Sequence, residues 1–367
     1  MPAQTASTPT QKPTRTPAET PAALGFRMPA EWEPHQATWL SWPHNEDTWP
    51  DELDRVERVM ARAVAALARH ETVHVNVNDA AHERHVGAVL DAAGVRGDVR
   101  LHHIPTNDAW VRDHGAIFVV RDDARGGREL AATDWGFNSW GGKYPPFDLD
   151  DAVPAHMADV LGVRRFAADI ILEGGSIDVN GAGQLLTTEA CLLNPNRNPH
   201  LDRAAVEARL RTFLGVHDVL WLGDGIVGDD TDGHVDDITR FVDERTILTA
   251  VEPDAGSPNH TPLQENLERL HAMRTPGGEP YRIVELPMPA PVRLKGEAMP
   301  ASYANFYIAN GAVLLPVYED PNDARAIEIV GRCFPSREVV PIPCNDVIWG
   351  LGAFHCLTQQ VPAVRGA

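Results

Sequence analysis

A cysteine side chain can attack an electrophilic carbon when a proton carrier stands beside it and another group holds the target. Cys356, in Gly352-Ala353-Phe354-His355-Cys356-Leu357-Thr358-Gln359-Gln360, is the candidate nucleophile. The usual fate of a lone cysteine is a buried, inert thiol. His355 is a poor catalytic partner despite its adjacency, because neighbours in an extended segment point to opposite faces. A sequence-remote histidine is the better proton carrier.

His234 is that histidine. It lies in Gly228-Asp229-Asp230-Thr231-Asp232-Gly233-His234-Val235-Asp236-Asp237. Five aspartates around one histidine suggest a divalent-metal loop. The calcium-loop pattern fails, because the twelfth position from Asp230 is Phe241 rather than glutamate. This segment contains no H-E-x-x-H zinc signature. If Gly233 opens a strand, His234 and Asp236 share one face, which suits a proton carrier beside a cation-binding carboxylate. Two further carboxylates stand in similar surroundings. Asp113, in Trp110-Val111-Arg112-Asp113-His114-Gly115, reads either as a turn residue or as an acceptor for a planar guanidinium. Glu173, in Leu172-Glu173-Gly174-Gly175-Ser176, precedes two glycines that permit a surface turn or a close backbone approach.

The elements that must position these groups alternate between strand and helix patterns, which indicates an α/β protein. Strands are predicted over 37–42 and 73–77. Helices are predicted over 52–68, 81–93, 152–161, 203–214, 263–273 and 323–333. In the first helix Leu53, Val56, Met60, Val64 and Leu67 form one apolar face. A small residue, a short apolar strand and, in most copies, a hairpin partner recur five times, from Gly115, Gly175, Gly233, Ala304 and Gly352. Asp113 and Glu173 precede their glycines by two residues. His234 and Asn305 directly follow their small residues. Hairpins radiating from one axis would bring these groups together.

The 367 residues allow one large domain or two ordinary ones, and 43 % hydrophobic content supplies a sizeable core. No apolar run is long enough to span a bilayer, and no signal peptide is evident. Residues 1–24, rich in Pro, Thr and Ala, read as a disordered tail. With 32 basic and 52 acidic residues the formal charge is −20. That argues against nucleic acid or an anionic membrane as a partner, and it is compatible with a cationic small substrate or with solubility alone. Cys191, Cys333, Cys344 and Cys356 form no C-x-x-C pair. Without a secretory signal the cytosol is the default, and three of the four read as buried small hydrophobes.

Six segments together resemble one family: Glu31-Trp32-Glu33-Pro34-His35, Trp110-Val111-Arg112-Asp113, Leu172 to Ser176, Asp230 to Asp236, Ser302-Tyr303-Ala304-Asn305-Phe306-Tyr307, and His355 to Gln360. They are similar to the agmatine deiminases, which belong with the bacterial-type peptidyl-arginine deiminases in the guanidine-modifying, or pentein, superfamily. The resemblance runs from about Phe26 to Pro362. It implies a single domain over 25–367, a five-bladed α/β propeller of ββαβ units around a central site. One departure is that Leu351 and Ala353 interrupt a stretch that is usually a run of glycines before the cysteine, which is expected to stiffen this loop.

By this resemblance the chain is a hydrolase of C–N bonds in linear amidines, turning agmatine into N-carbamoylputrescine and ammonia in putrescine and polyamine synthesis. Asp113 and Asp236 would clamp the guanidinium, and Cys356 would attack it as thiolate. His234 would move protons, with Glu173 orienting it. Asp230 and Trp110, with Asn305, would contact substrate. No metal or organic cofactor is needed, because sulfur is the nucleophile and the substrate brings its own charge. Arginine or peptidyl-arginine deiminase, amidinotransferase and a non-catalytic pentein-fold binding protein are the alternatives, since fold does not fix function. A homo-oligomer is compatible with the sequence, which does not specify one.

Overall fold

The structure is a computed structural model that describes residues 19–122 and 126–364. Its backbone repeats one unit five times: an antiparallel strand pair, then a crossover helix leading to a parallel third strand. The second unit consists of Ile117–Asp122, Arg128–Gly136 and Arg164–Ile171, with helix Asp148–Leu161 in the crossover. The third consists of Asp178–Val179, Gln184–Thr188 and Asp218–Leu222, with helix Arg203–Leu214. The fourth consists of Thr239–Phe241, Thr246–Val251 and Arg282–Pro287, with helix His260–Ala272. The fifth consists of Tyr307–Ile308, Ala312–Val317 and Glu338–Pro343, with helix Asp323–Cys333.

The first unit closes the ring. Its antiparallel pair joins His35–Ser41 to the distant Gln359–Pro362, in register Trp39 to Gln359. Thr72–Val77 then adds in parallel after helix Leu53–Leu67, and Val99–His103 extends the sheet after helix Ala80–Ala92. This is the five-bladed α/β propeller that the pentein resemblance implies.

Hydrophobic cores lie between neighbouring blades. Trp39 of the first packs in one cluster with Phe118 of the second. Phe166 of the second shares a cluster with Val206 of the third, and Leu186 of the third with Ile247 of the fourth. Val73 of the first and Leu314 of the fifth share the largest cluster. Val56, Met60, Val64 and Leu67 are fully buried on the inner face of their helix, and Leu53 is half-buried. Helix Arg203–Leu214 starts at Asp202, whose side chain accepts from the Ala205 amide, and stops at left-handed Gly215. Pro262 lies within the first turn of helix His260–Ala272, which begins earlier than its apolar spacing predicts.

Most of the tail expectation falls on residues 1–18, outside the described residues. Ala22–Leu24, within the predicted tail, form a short 3-10 turn whose Leu24 carbonyl accepts from Arg121 at 2.9 Å. No helix among the described residues is long and apolar enough to cross a membrane.

Candidate active site

The candidate residues sit in tight turns that precede the blade strands rather than in the strands themselves. Asp113 is in a single helical turn, Val111–His114. Glu173 caps a 3-10 turn, Gly174–Ser176. His234 precedes a second one, Val235–Asp237, so Gly233 does not open a strand, and His234 and Asp236 do not meet through strand alternation. Blade strands begin only at Asp178 and Thr239. The reason is local. Asp229 accepts from the amides of Thr231 (2.8 Å), Gly233 (3.0 Å) and His234 (3.1 Å), which winds the segment into a turn. The Cys356 segment is also turned rather than extended, and its strand starts at Gln359.

One turn from each of the second, third and fourth blades converges on Gly175. A Cβ there would lie within 3.0 Å of His234, Asp113 and Asp236 at once. This is the close approach that makes glycine necessary. His234 Nδ1 lies 3.7 Å from Asp113 Oδ1, and its Nε2 lies 3.9 Å from Glu173 Oε2. These are charge contacts, too long for hydrogen bonds. Arg197 donates to Glu173 at 2.8 Å and also pairs with Asp232. Asp113 accepts from the Gly175 amide at 2.9 Å and from the Trp140 indole at 3.0 Å. Cys356 Sγ is 3.8 Å from Asp236 Oδ2, and Asn305 Nδ2 reaches Sγ at 3.1 Å.

Asp113, Cys356, Trp110 and Asp230 line a cavity of about 720 Å³. His234, Glu173 and Asp236 are fully buried beside these residues and do not themselves line the cavity. Asn305, expected to contact substrate, sits beside the sulfur. It is buried and does not line the cavity; its amide serves Asp237, the Cys356 thiol and the His355 backbone. Cys191, read as a small buried hydrophobe, is buried, but its sulfur lies within 4.8 Å of donor atoms of both His234 and Glu173.

Charges in this buried cluster shift one another. Burial pushes the Asp113 carboxyl up to about 6, with Asp236 and Glu173 adding and His234 opposing. Burial disfavours the His234 imidazolium, yet Asp113, Cys191 and Glu173 together raise it well above the usual histidine range. Burial raises Cys356 well above a normal thiol, and Asp236, Asp237 and Asp113 raise it further. These groups therefore favour a neutral Cys356 thiol. Among the described residues, two sets of donors could hold a metal: Glu173, Cys191 and His234, and Asp236, Asp237 and Cys356.

Several contributors were not singled out from sequence. Trp140 and Arg197 carry no motif of their own. Asp229, Asp237, Glu31 and His355 lie inside quoted segments, so their signal was present without the role they take here.

The Porphyromonas-type peptidyl-arginine deiminase family model matches residues 27–362. Agmatine deiminase of Pseudomonas aeruginosa strain LESB58 is 40 % identical, with 94 % of this chain and 98 % of the relative covered. The solved agmatine deiminase of Enterococcus faecalis superposes with a TM-score of 0.87 at 34 % identity, covering 94 % and 97 % of the two chains. A substrate-bound agmatine deiminase of C. jejuni, with a cysteine replaced by serine, gives 0.83 at 29 %, covering 93 % and 97 %. This chain belongs to the Porphyromonas-type peptidyl-arginine deiminase family.

Proposed function

We propose that this protein is an agmatine deiminase. The observation that carries the reading is the cavity in which Cys356 and Asp113 meet under an acidic lining. Asp113 and Asp236 accept paired N–H bonds from the substrate guanidinium. The bound cation offsets the carboxylates that hold the thiol neutral, so Cys356 loses its proton to solvent as substrate arrives. Sulfur attacks the guanidinium carbon, and the imidazolium of His234 gives its proton to the departing ammonia. Water then attacks the amidino-thioether carbon and hands a proton to His234. Collapse breaks the C–S bond and releases N-carbamoylputrescine. Glu173, tied to Arg197, favours the charged form of His234 through the first half of the cycle.

Agmatine has a second cation where arginine also carries a carboxylate. Among the described residues, Glu46, Asp47, Asp108 and Asp230 line the cavity beside an Asp150 whose burial favours its neutral form, and no arginine does. Its one lysine, Lys143, is bound to Asp232 at 2.9 Å and to the Asp230 carbonyl. Asp230, held by the Tyr144 hydroxyl, is the contact for the distal ammonium, and Trp110 forms a wall of the site. An α-carboxylate would meet like charge here with no cation free to pair it. A cytosolic role in putrescine supply fits the four free cysteines.

Ammonia release from agmatine, free arginine and a peptide ending in arginine tests this. Agmatine is expected to exceed the others in kcat/KM by about 100-fold, or roughly 3 kcal/mol. An arginine substrate that equals agmatine would reassign the protein to the arginine deiminases.

A further inference from the structure

Asp236 has two unlike oxygens. Oδ1 is buried and has no hydrogen-bond partner among the described residues. Oδ2 faces His355 Nδ1 at 2.6 Å and the Cys356 thiol at 3.8 Å. The other ring nitrogen, Nε2, lies 2.8 Å from Glu31 Oε2. Carboxylates only accept, so both contacts are hydrogen bonds when the ring carries both protons. Glu31 Oε2 also takes Arg240 at 3.0 Å and stands 3.5 Å from Arg112, while its Oε1 accepts from the Ile308 amide at 2.8 Å. Arg240 is fixed in turn by Asp178 and by the Phe306 carbonyl. Arg112 donates to the His355 carbonyl at 3.2 Å and to Gln360 at 2.8 Å. Every charged member of this chain is buried.

We propose that His355 and Glu31 are positioning residues that hold Asp236 as an oriented anion, its Oδ2 pinned and its Oδ1 left for the substrate guanidinium. The inference rests on the agmatine deiminase reading. Along the chain donors and acceptors alternate: Arg240 and Arg112, then Glu31, His355, Asp236 and finally the bound cation. A buried carboxylate without such a partner either takes up a proton or turns towards another donor. Among the described residues, the side-chain donors to Asp236 are His355 and the thiol that must itself react. Adjacency to Cys356 now has a physical meaning. Asn305 Oδ1 accepts from both the His355 and Cys356 amides, at 3.0 and 3.4 Å, so the turn that presents the sulfur also presents the ring.

Two substitutions separate the two halves of the ring. Asparagine places its amide nitrogen near Nδ1 and keeps the bond to Asp236. Glutamine places its nitrogen near Nε2 and keeps only the bond to Glu31. Wild-type turnover of agmatine tests the activity, and ratios among variants test the inference. His355→Asn should lose about tenfold in kcat/KM, and His355→Gln at least about 100-fold. In a Cys356→Ser background, the agmatine Kd measured by calorimetry should rise in the same order. Adding His355→Gln to Asp236→Asn should cost less than threefold beyond Asp236→Asn alone. Equal losses in the two His355 variants, near-wild-type values in both, or full additivity in the double variant would overturn the proposal. If His355→Gln does not fold, Glu31→Gln is the second variant: about a tenfold loss supports the chain, and unchanged Kd and kcat/KM overturn it. Histidine 15N resonances need no substrate. A His355 signal, identified by its loss in His355→Asn, should report hydrogen bonding at both nitrogens, and a free Nδ1 would sink the idea.

Discussion

Gly175 meets His234 backbone to ring: a methyl group on Gly175 would stand 2.6 Å from the imidazole Nδ1. It would also stand 2.8 Å from Asp113 Oδ1 and 2.9 Å from Asp236 Oδ2. At Gly175 the third blade contributes an absence of side chain, around which charged groups of its neighbours gather, while its Glu173 faces the other ring nitrogen.

Gly175→Ala should therefore disable the enzyme without unfolding it. The added carbon must displace three groups, and misplacement near 1 Å costs on the order of 100-fold in rate. Steady-state assays beside far-UV circular dichroism check this. Turnover within threefold of wild type would show that the turn has room to relax.

The cysteine loop offers a paired test. Leu351 adopts φ 70°, ψ 19°, a left-handed conformation that strains a residue with a Cβ. Its neighbour Gly352 packs against Trp110, where a Cβ would come within 2.6 Å of the indole and 3.1 Å of the Cys356 Cβ. Leu351→Gly relieves strain but frees the unfolded chain, so stability should stay within about 1 kcal/mol and activity should persist. Gly352→Ala should lose at least about 100-fold in kcat/KM by shifting the sulfur. Urea unfolding and agmatine turnover measure both, and a reversed ranking would refute the packing argument.

The raised Cys356 thiol predicts how the free enzyme reacts with alkylating agents. Only the thiolate is nucleophilic, and its fraction grows as pH rises towards the raised pKa. Inactivation by neutral iodoacetamide should be slow at pH 7 and accelerate above about pH 9. A cationic amidine reagent of the same reach carries its own counter-charge and should inactivate readily near neutrality. Equal rates for the two at pH 7 would contradict the electrostatic account.

Asp150 gives a stability signature. Burial pushes its carboxyl up to about 8, with Asp108 and Asp148 adding to the effect. A folded-state pKa above the unfolded value contributes stability that is full below the unfolded pKa and lost as pH rises through the folded one. The loss should run from about pH 4 to pH 8. Asp150→Asn can still accept from the Asn107 and Asp108 amides, which Asp150 Oδ1 now does at 2.8 and 3.3 Å. Its melting temperature should exceed wild type at pH 8.5 and converge with it near pH 4. A constant offset across that range would remove Asp150 from the titration.

Charge removal distinguishes the clamp from an ordinary turn. Asp113→Asn should cost at least about 100-fold in kcat/KM, or roughly 3 kcal/mol, because a charged acceptor for the guanidinium is lost. Asp122→Asn, at an exposed pair with Arg128, should be neutral. Similar losses in both would make Asp113 a structural turn residue.

Much of the architecture is written in local pattern. Arg203–Leu214 and Asp323–Cys333 match their predicted ranges residue for residue, because apolar spacing and flanking Asp, Gly or Pro mark both ends. Hairpin chemistry at Asn180-Gly181 and Asn310-Gly311 exposes the blade repeat. The turns before the strands are harder to read. Asp229 winds the His234 segment through side-chain bonds to three amides, a geometry that alternation cannot reveal. His355 was set aside on the premise of an extended segment, and a turn invalidates that premise. Trp140 reaches Asp113 from a left-handed conformation that favours glycine, so nothing in its type forecasts the contact. The contacts of Asn305 with Asp237, Cys356 and His355 were not legible either, because position in a repeat does not say which way an amide faces.

The pairing of His35–Ser41 with Gln359–Pro362 has a temporal consequence. During synthesis the first strand emerges long before its partner, and the His355–Glu31 contact spans 324 positions of chain. Four blades can form while the nucleophile is still unmade. The last turn to arrive carries the sulfur, and the strand after it seals the circle. A nascent or arrested chain is therefore chemically silent, and the appearance of turnover is itself a clock for the completion of folding.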